Sequence, residues 1–359
     1  VTRFFVTDCE GPVTKNDNAF ELMAHFVPNG GRVFAVLSKY DDVLADVLKM
    51  PGYSAGNTLK LILPFLKAYG VTDKKMEEFS AKSMLLIADC KTCLQHVRHI
   101  SEAFIVSTSY EHYVRALCRL VEFPYENTYC TRLSMDKYGL TEHESSELRK
   151  VASEIARMPI VKIPPGAKRL EDFSLEDQQV IERLNEIFWE EVESMCGRMM
   201  AEVKLVGGAQ KAEAVTDAAD KAGADLCGVM YVGDSITDVE ALRRVKAHNG
   251  LAVSFNGNGY AVDNAEIAVL SESSLVTAVI FDVFCKYGKQ KVLELSSNWS
   301  HETLVSNHVD PLLLSRLFEV YPAKLPKVQR ITSENRKQLS FESSEFRKHV
   351  RGEAVGELG

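Results

Sequence analysis

The sequence predicts an α/β protein: a doubly wound, parallel-sheet core interrupted by two mainly helical cap insertions. Three observations carry that prediction. Short apolar runs recur along the chain, and each ends in small or acidic residues, as strands buried on both faces of a parallel sheet do. Helix-forming stretches alternate with the later runs, as βα units require. Two long segments between the runs read mainly as helices.

Taken in order, the first run is Phe4-Phe5-Val6, followed by Thr7 and Asp8. Residues 15–99 then form the first helical cap. Phe20, Met23, Phe26 and Val27 make one apolar face there, with Asp17 or Asn18 as N-cap. Leu59, Ile62, Leu63 and Leu66 make another, and Leu85 to Ile100 reads as one helix. The second run, Phe104-Ile105-Val106, ends at Ser107. Residues 134–202 form the second helical insertion, with a loop at Pro164-Pro165-Gly166. Its best helix starts at Ser174, with Glu176 and Asp177 in the first turn and an apolar stripe of Val180, Leu184, Ile187, Phe188, Val192 and Met195. A helix from Ala212 to Ala222 stops at Gly223 and leads to the third run, Val229-Met230-Tyr231-Val232, followed by Gly233 and Asp234. Asp238 to Lys246 is helical, and Leu251-Ala252-Val253 and Ile267-Ala268-Val269-Leu270 supply two more strands.

The core is therefore expected over 1–14, 100–133 and 203–285, with a C-terminal helical extension over 286–359. In that extension Asp310 caps a helix whose first residue is Pro311. Beyond Thr332 the chain is polar and is expected to fray.

Composition bounds the function. The 359 residues, 46% hydrophobic and 26% charged, suit about two domains or one with large insertions. A net charge of -8 argues against nucleic acid and anionic membrane surfaces as partners, although one local basic pocket for a small anion remains compatible with it. No apolar run approaches a membrane span. The start, Val1 to Pro12, is too short and too quickly acidic for a signal peptide. The eight cysteines are scattered rather than framed for disulfides. The expectation is a reduced, cytoplasmic protein; nothing in the pattern speaks to oligomeric state.

In doubly wound sheets, ligands sit beyond the carboxyl ends of the strands. Asp8, Ser107 and Asp234 all stand at such ends. Asp8-Cys9-Glu10-Gly11-Pro12-Val13-Thr14 sets two carboxylates either side of a cysteine, then a turn. Gly233-Asp234-Ser235-Ile236-Thr237-Asp238 puts two acids four apart at a strand-to-helix junction, suited to a hard divalent cation or, more plainly, to capping the next helix. Ser107-Thr108-Ser109 offers hydroxyls and N–H groups for an anion, or an N-cap. Lys211 opens a helix, where a cation is disfavoured unless an anion faces it.

These four pieces, in this order, resemble the haloacid dehalogenase superfamily of phosphotransferases. Asp8 to Thr14 is similar to its first motif, Ser107 to its second, Lys211 to the lysine of its third, and Gly233 to Asp238 to its fourth. The two insertions resemble its caps. Within the superfamily, Ile105 to Tyr110 and Thr131 to Thr141 resemble phosphoserine phosphatase-like members. Overall the chain is also similar to an archaeal set named as energy-converting hydrogenase subunits. Glu10 departs from the commoner aspartate, as in acireductone synthases, and Pro12 from a frequent threonine. A second insertion of this size is not typical of phosphoserine phosphatases.

The resemblance implies a Mg2+-dependent phosphatase of a small phosphorylated metabolite. Asp8 would be the nucleophile and Glu10 the general acid and base. Ser107, Thr108 and Lys211 would hold phosphate oxygens. Asp8, the Glu10 carbonyl and Asp234 would hold Mg2+. Asp238 would orient Lys211 or a metal-bound water. The alternative is a non-catalytic accessory subunit of a larger complex that keeps the fold; a mutase or phosphonatase stands further off.

Cys90, Cys93, His96 and His99 invite a zinc reading. On one helix, at about 100° per residue, Cys90 and His99 face opposite sides, so the four cannot converge on one ion.

Overall fold

The structure, a computed structural model, describes residues 2–358. One seven-stranded sheet has the order β3-β2-β1-β4-β5-β6-β7. Its strands are β1 (Phe4–Thr7), β2 (Ala103–Tyr110), β3 (Thr128–Thr131), β4 (Val229–Gly233), β5 (Leu251–Phe255), β6 (Ile267–Leu270) and β7 (Lys327–Arg330). All neighbours run parallel except β6 and β7, where Ile267 pairs Arg330 and Leu270 pairs Lys327 in antiparallel register. The α/β class read from the sequence is the class observed.

Strand side chains alternate between two apolar layers, as the period of two demands. Phe5, Ile105, Met230, Val232 and Val253 pack on one face, against helices Cys90–Ile100, Glu111–Val121 and Leu275–Tyr287. Phe4, Val6, Phe104, Val106, Tyr231 and Ala252 pack on the other, against helices Ala209–Lys221 and Val239–Ala247. β1 lies between β2 and β4, so the strand order reverses beside it. The register pairs Thr7 with Val232. The residues just past these two strand ends, Asp8 and Asp234, therefore emerge side by side.

The two insertions share one hydrophobic cluster. Tyr40 of the first stacks on Phe188 of the second with ring centroids 6.1 Å apart, and Phe65 meets Phe188 edge-on at 6.2 Å. The caps are thus packed on each other. Asp17 and Ser174 cap their helices as expected, through Phe20 N at 2.9 Å and Asp177 N at 3.1 Å. Asp310 caps helix Pro311–Val320 through Leu312 N and Leu313 N.

Local expectations shift in four places. β2 runs on to Tyr110, so Ser107, Thr108 and Ser109 are strand residues and not the start of the next helix, which spans Glu111–Val121. The helix expected from Leu85 begins at Cys90, because Leu86 and Ala88 make bridges to Thr14 and Ser273. Lys211 is the third residue of helix Ala209–Lys221 instead of its first. In the C-terminal extension expected to be helical, β7 extends the sheet, and the tail expected to fray beyond Thr332 is ordered as helix Arg336–Arg351.

That last helix is anchored by a narrow stripe. Leu339 packs with Val262, Ala268 and Leu270, flanked by Phe346. One turn on, Ser343 Oγ donates to the Gly257 carbonyl at 2.6 Å. Among the described residues, no helix is long and apolar enough to cross a membrane. Because Leu339 is the buried hydrophobic anchor of this helix, Leu339→Ala should cost about 2–5 kcal/mol in urea-induced unfolding. A change under about 0.5 kcal/mol would mean that the helix contributes nothing to the folded core.

Candidate functional site

The chemistry collects at the carboxyl ends of β1, β2 and β4. One cavity there is lined by Asp8, Glu10, Ser107, Thr108 and Asp234. Its other walls come from the first insertion, including Asp17, Ser38, Asp41 and Thr58, and from the C-terminal segment, through Arg347, Arg351 and Leu358. Among the described residues, none of the second insertion lines it; that segment buttresses the first insertion instead.

Asp8 is held by its backbone. Its N–H donates to the Val232 carbonyl at 2.8 Å, and its Oδ1 accepts from Cys9 N at 2.6 Å. The next turn depends on Gly11, whose φ of +98° lies in the left-handed region. A Cβ at that position would stand 2.2 Å from Asp234 Oδ2, so only glycine admits the Asp234 carboxylate against this loop.

Lys211 reaches into the site from helix Ala209–Lys221. Its Nζ donates to Asp8 Oδ2 at 2.5 Å and to Asp238 Oδ1 at 2.8 Å. Lys211 and Asp238 are both 0% exposed, so protein groups must supply the compensation that water cannot. Asp238 is saturated: Oδ1 also accepts from Tyr231 Oη at 2.6 Å, and Oδ2 from the N–H groups of Asp234 and Ser235 at 2.9 and 3.1 Å. Asp238 thus makes the contact with Lys211 that the first of its two expected tasks calls for.

The electrostatics follow from burial and pairing. Burial pulls the Lys211 pKa down, but the charges of Asp238 and Asp8 outweigh it and hold it above the ordinary value. Burial works against the Asp238 carboxylate too, yet Lys211 and the surrounding donors keep its pKa low. Burial, then the charge of Asp238, pushes Asp8 up to about 8 against the pull of Lys211. Glu10 is raised well above the carboxylate range by burial and by nearby Asp17. Its Oε1 accepts from Asn18 N at 2.6 Å. Ser107 is buried, with its Oγ accepting from Ser109 N at 3.1 Å, and the buried Thr108 Oγ1 has no partner among the described residues.

Asp8, Asp234 and Asp238 bring carboxylate oxygens within 4.8 Å of one another, the one His, Cys, Asp or Glu cluster among the described residues that could hold a metal ion. Such donors fit a hard divalent cation. Because Asp238 is fully engaged, the side-chain donors reduce to Asp8 and Asp234. Cys90 and Cys93 lie instead in the hydrophobic core.

Sequence reasoning missed two residues here. Arg347 Nη1 contacts Asp234 Oδ2 and donates to the Asp234 carbonyl at 3.2 Å. Arg351 Nη1 donates to the same Oδ2 at 3.1 Å, its Nε to the Lys15 carbonyl at 3.0 Å, and its Nη2 contacts the Asn16 carbonyl. Both side chains are buried. The only signal in the sequence was a pair of arginines four apart in a polar tail, which puts them on one helix face.

No family model and no curated protein matches the chain. Among solved structures it is similar to gene product AF1437 from Archaeoglobus fulgidus, at 27% identity and TM-score 0.79, over 100% of this chain and 99% of that one. The likeness thus spans the core, both insertions and the C-terminal segment. An apo phosphoserine phosphatase aligns at 12% identity and TM-score 0.43, over 80% of this chain and 100% of that one, too loosely to carry any inference.

Replacing Lys211 by Met would leave the Asp238 carboxylate buried without its cation and remove the donor to Asp8. Lys211→Met should cost about 3–5 kcal/mol at pH 7. The deficit should shrink as pH falls toward 4. In the variant, Asp238 without its cation would take up a proton in the folded state within that range, whereas in the native protein its lowered pKa keeps its contribution intact until the pH falls below the ordinary carboxylate value. Urea unfolding of both proteins across that range checks it; a deficit independent of pH would contradict the charge assignment.

Proposed function

We propose that the chain is a phosphoric monoester hydrolase of the haloacid dehalogenase type, acting on a small phosphorylated metabolite through an aspartyl-phosphate. The observation that carries this reading is Lys211 Nζ bridging Asp8 and Asp238 at the strand ends, behind the cavity that Asp8 lines with Glu10, Ser107 and Thr108. A nucleophilic carboxylate and a fixed cation beside it are what in-line transfer from a dianionic ester needs.

Asp8 attacks phosphorus, and the ester oxygen leaves with a proton from Glu10. The raised pKa of Glu10 suits it to carry that proton near neutrality. Deprotonated Glu10 then takes a proton from the water that opens the aspartyl-phosphate. Lys211, Ser107 and Thr108 receive the equatorial oxygens, on which transition-state charge resides. Asp238 holds Lys211 in place. Mg2+, held by Asp8, Asp234 and the Glu10 carbonyl, would screen the ester's charge. Ser38, Asp41 and Thr58 of the first insertion face the same cavity and would select the substrate.

A second reading has one observation behind it. Arg347 and Arg351 already neutralise Asp234, as in a non-catalytic subunit that keeps the fold without the cation. Hydrolysis of p-nitrophenyl phosphate and a panel of phosphorylated metabolites, with and without Mg2+, separates the two. No turnover under any condition would favour the non-catalytic subunit.

Asp8→Asn should abolish turnover while the protein stays folded by circular dichroism, because an amide cannot form the phosphoenzyme. A phosphoryl adduct mapped to another residue by mass spectrometry would remove Asp8 from its role. Glu10→Gln should slow hydrolysis of alkyl phosphates by about 10²–10⁴-fold. It should slow p-nitrophenyl phosphate much less, since that leaving group departs without a proton. Equal slowing of both at the phosphorylation step would argue against general-acid catalysis.

A further inference from the structure

The C-terminal arginines lie where the proposed function needs a cation donor. Asp234 Oδ2 is contacted by Arg347 Nη1 and Arg351 Nη1 together. These are not passing surface contacts. Arg351 is tied by two further bonds to the Lys15 and Asn16 carbonyls, in the loop that follows Asp8 and Glu10. Arg347 Nη2 donates to the Leu358 carbonyl at 3.3 Å, which draws the end of the chain onto the cavity wall that Leu358 lines. A divalent cation on Asp234 would meet two buried guanidiniums with almost no water to screen them.

The anchoring of this segment is uneven. Leu339 and Ser343 pack the first half of helix Arg336–Arg351 on Gly259–Asn264 and its flanks. The second half is held chiefly by arginine contacts to Asp234 and to backbone carbonyls, with Phe346 and Val350 only partly buried. Polar attachments of this kind are exchangeable, because a dication can take over the carboxylate that anchors them.

We propose that the C-terminal segment is an internal rival of the divalent cation: Arg347 and Arg351 leave Asp234 when the cation binds, so a docked tail and a loaded site exclude each other. The inference rests on the cation centre proposed above. By linkage, whatever the tail costs the cation in affinity, the cation costs the tail in docking. With the tail docked, the arginines compensate Asp234 and the segment walls the cavity. With the tail released, Asp234 and the cavity mouth open together.

The test uses the full-length protein and Mn2+ as the probe, and needs no turnover. Free Mn2+ is titrated by electron paramagnetic resonance for the native protein, Arg351→Gln and Arg347→Gln, with Asp234→Asn as the control that locates the bound ion. Both arginine variants should bind Mn2+ tighter by on the order of 10-fold or more. Hydrogen exchange in the native protein reports the reverse arm even if a variant folds poorly: Mn2+ should speed exchange across Phe346 to Arg351 while β1 and β4 stay protected. Equal affinities with unchanged exchange would overturn the rivalry and leave the cation centre standing. Tighter binding in the variants with no change in native exchange would also overturn it, because the arginines would then act by charge without leaving. No Mn2+ bound by any form would sink the cation centre itself, and the rivalry with it.

Discussion

A lysine with no exposed surface requires negative charge around it, and Lys211 takes it from two carboxylates. Much of the site can be read as meeting that demand. Asp8 comes from the end of β1 and Asp238 from the turn after β4, and the pairing of Thr7 with Val232 sets their separation. Asp238 in turn must be saturated to stay charged in a dry interior, which Tyr231 and two backbone N–H groups accomplish. A displacement of one strand against the other by a single residue would undo all three sets of contacts, since it exchanges the faces of the sheet.

The parallel sheet explains why the polar groups are gathered at one end. Both faces of the central strands β1, β4 and β5 are covered by apolar layers, which leave no place for a charge along their length. Beyond the carboxyl ends the backbone turns, its N–H groups become free to bind carboxylates, and side chains from several elements converge. The insertions then divide their labour by packing. The first borders the cavity, and the second braces it from behind through Phe188 and its neighbours. That wall of the cavity is therefore made by a part of the chain that the sheet does not constrain.

The C-terminal segment changes the electrostatics most. Without Arg347 and Arg351 the cavity would be lined by Asp8, Glu10, Asp17, Asp41, Asp42 and Asp234, with Lys211 behind Asp8. With them, the Asp234 charge is met from within the chain across a separation of 113 and 117 residues. Among the described residues Asp8 is met by one cation, Lys211, and burial keeps its proton affinity high.

How much of this was legible in the sequence depends on the range of the force involved. Continuous apolar runs betray strands buried on both faces, so five of the strands and the α/β class were readable, while the short β3 was not. Also readable were the caps at Asp17, Ser174 and Asp310, where a side chain serves a backbone three residues or fewer away. Asp8, Ser107, Lys211, Asp234 and Asp238 could be grouped because motif order and strand-end position place them in one crevice. The strand β7, the helix after it and the arginines it delivers could not. Their residues are polar and carry no apolar period strong enough to announce an element, and their stability comes from partners that only folding brings near: the edge of β6, the pocket around Leu339 and the buried charge of Asp234. Local pattern determined the core and its acids; the tertiary structure alone decided what would neutralise them, because a charge buried by distant parts of the chain accepts compensation from any segment that can reach it.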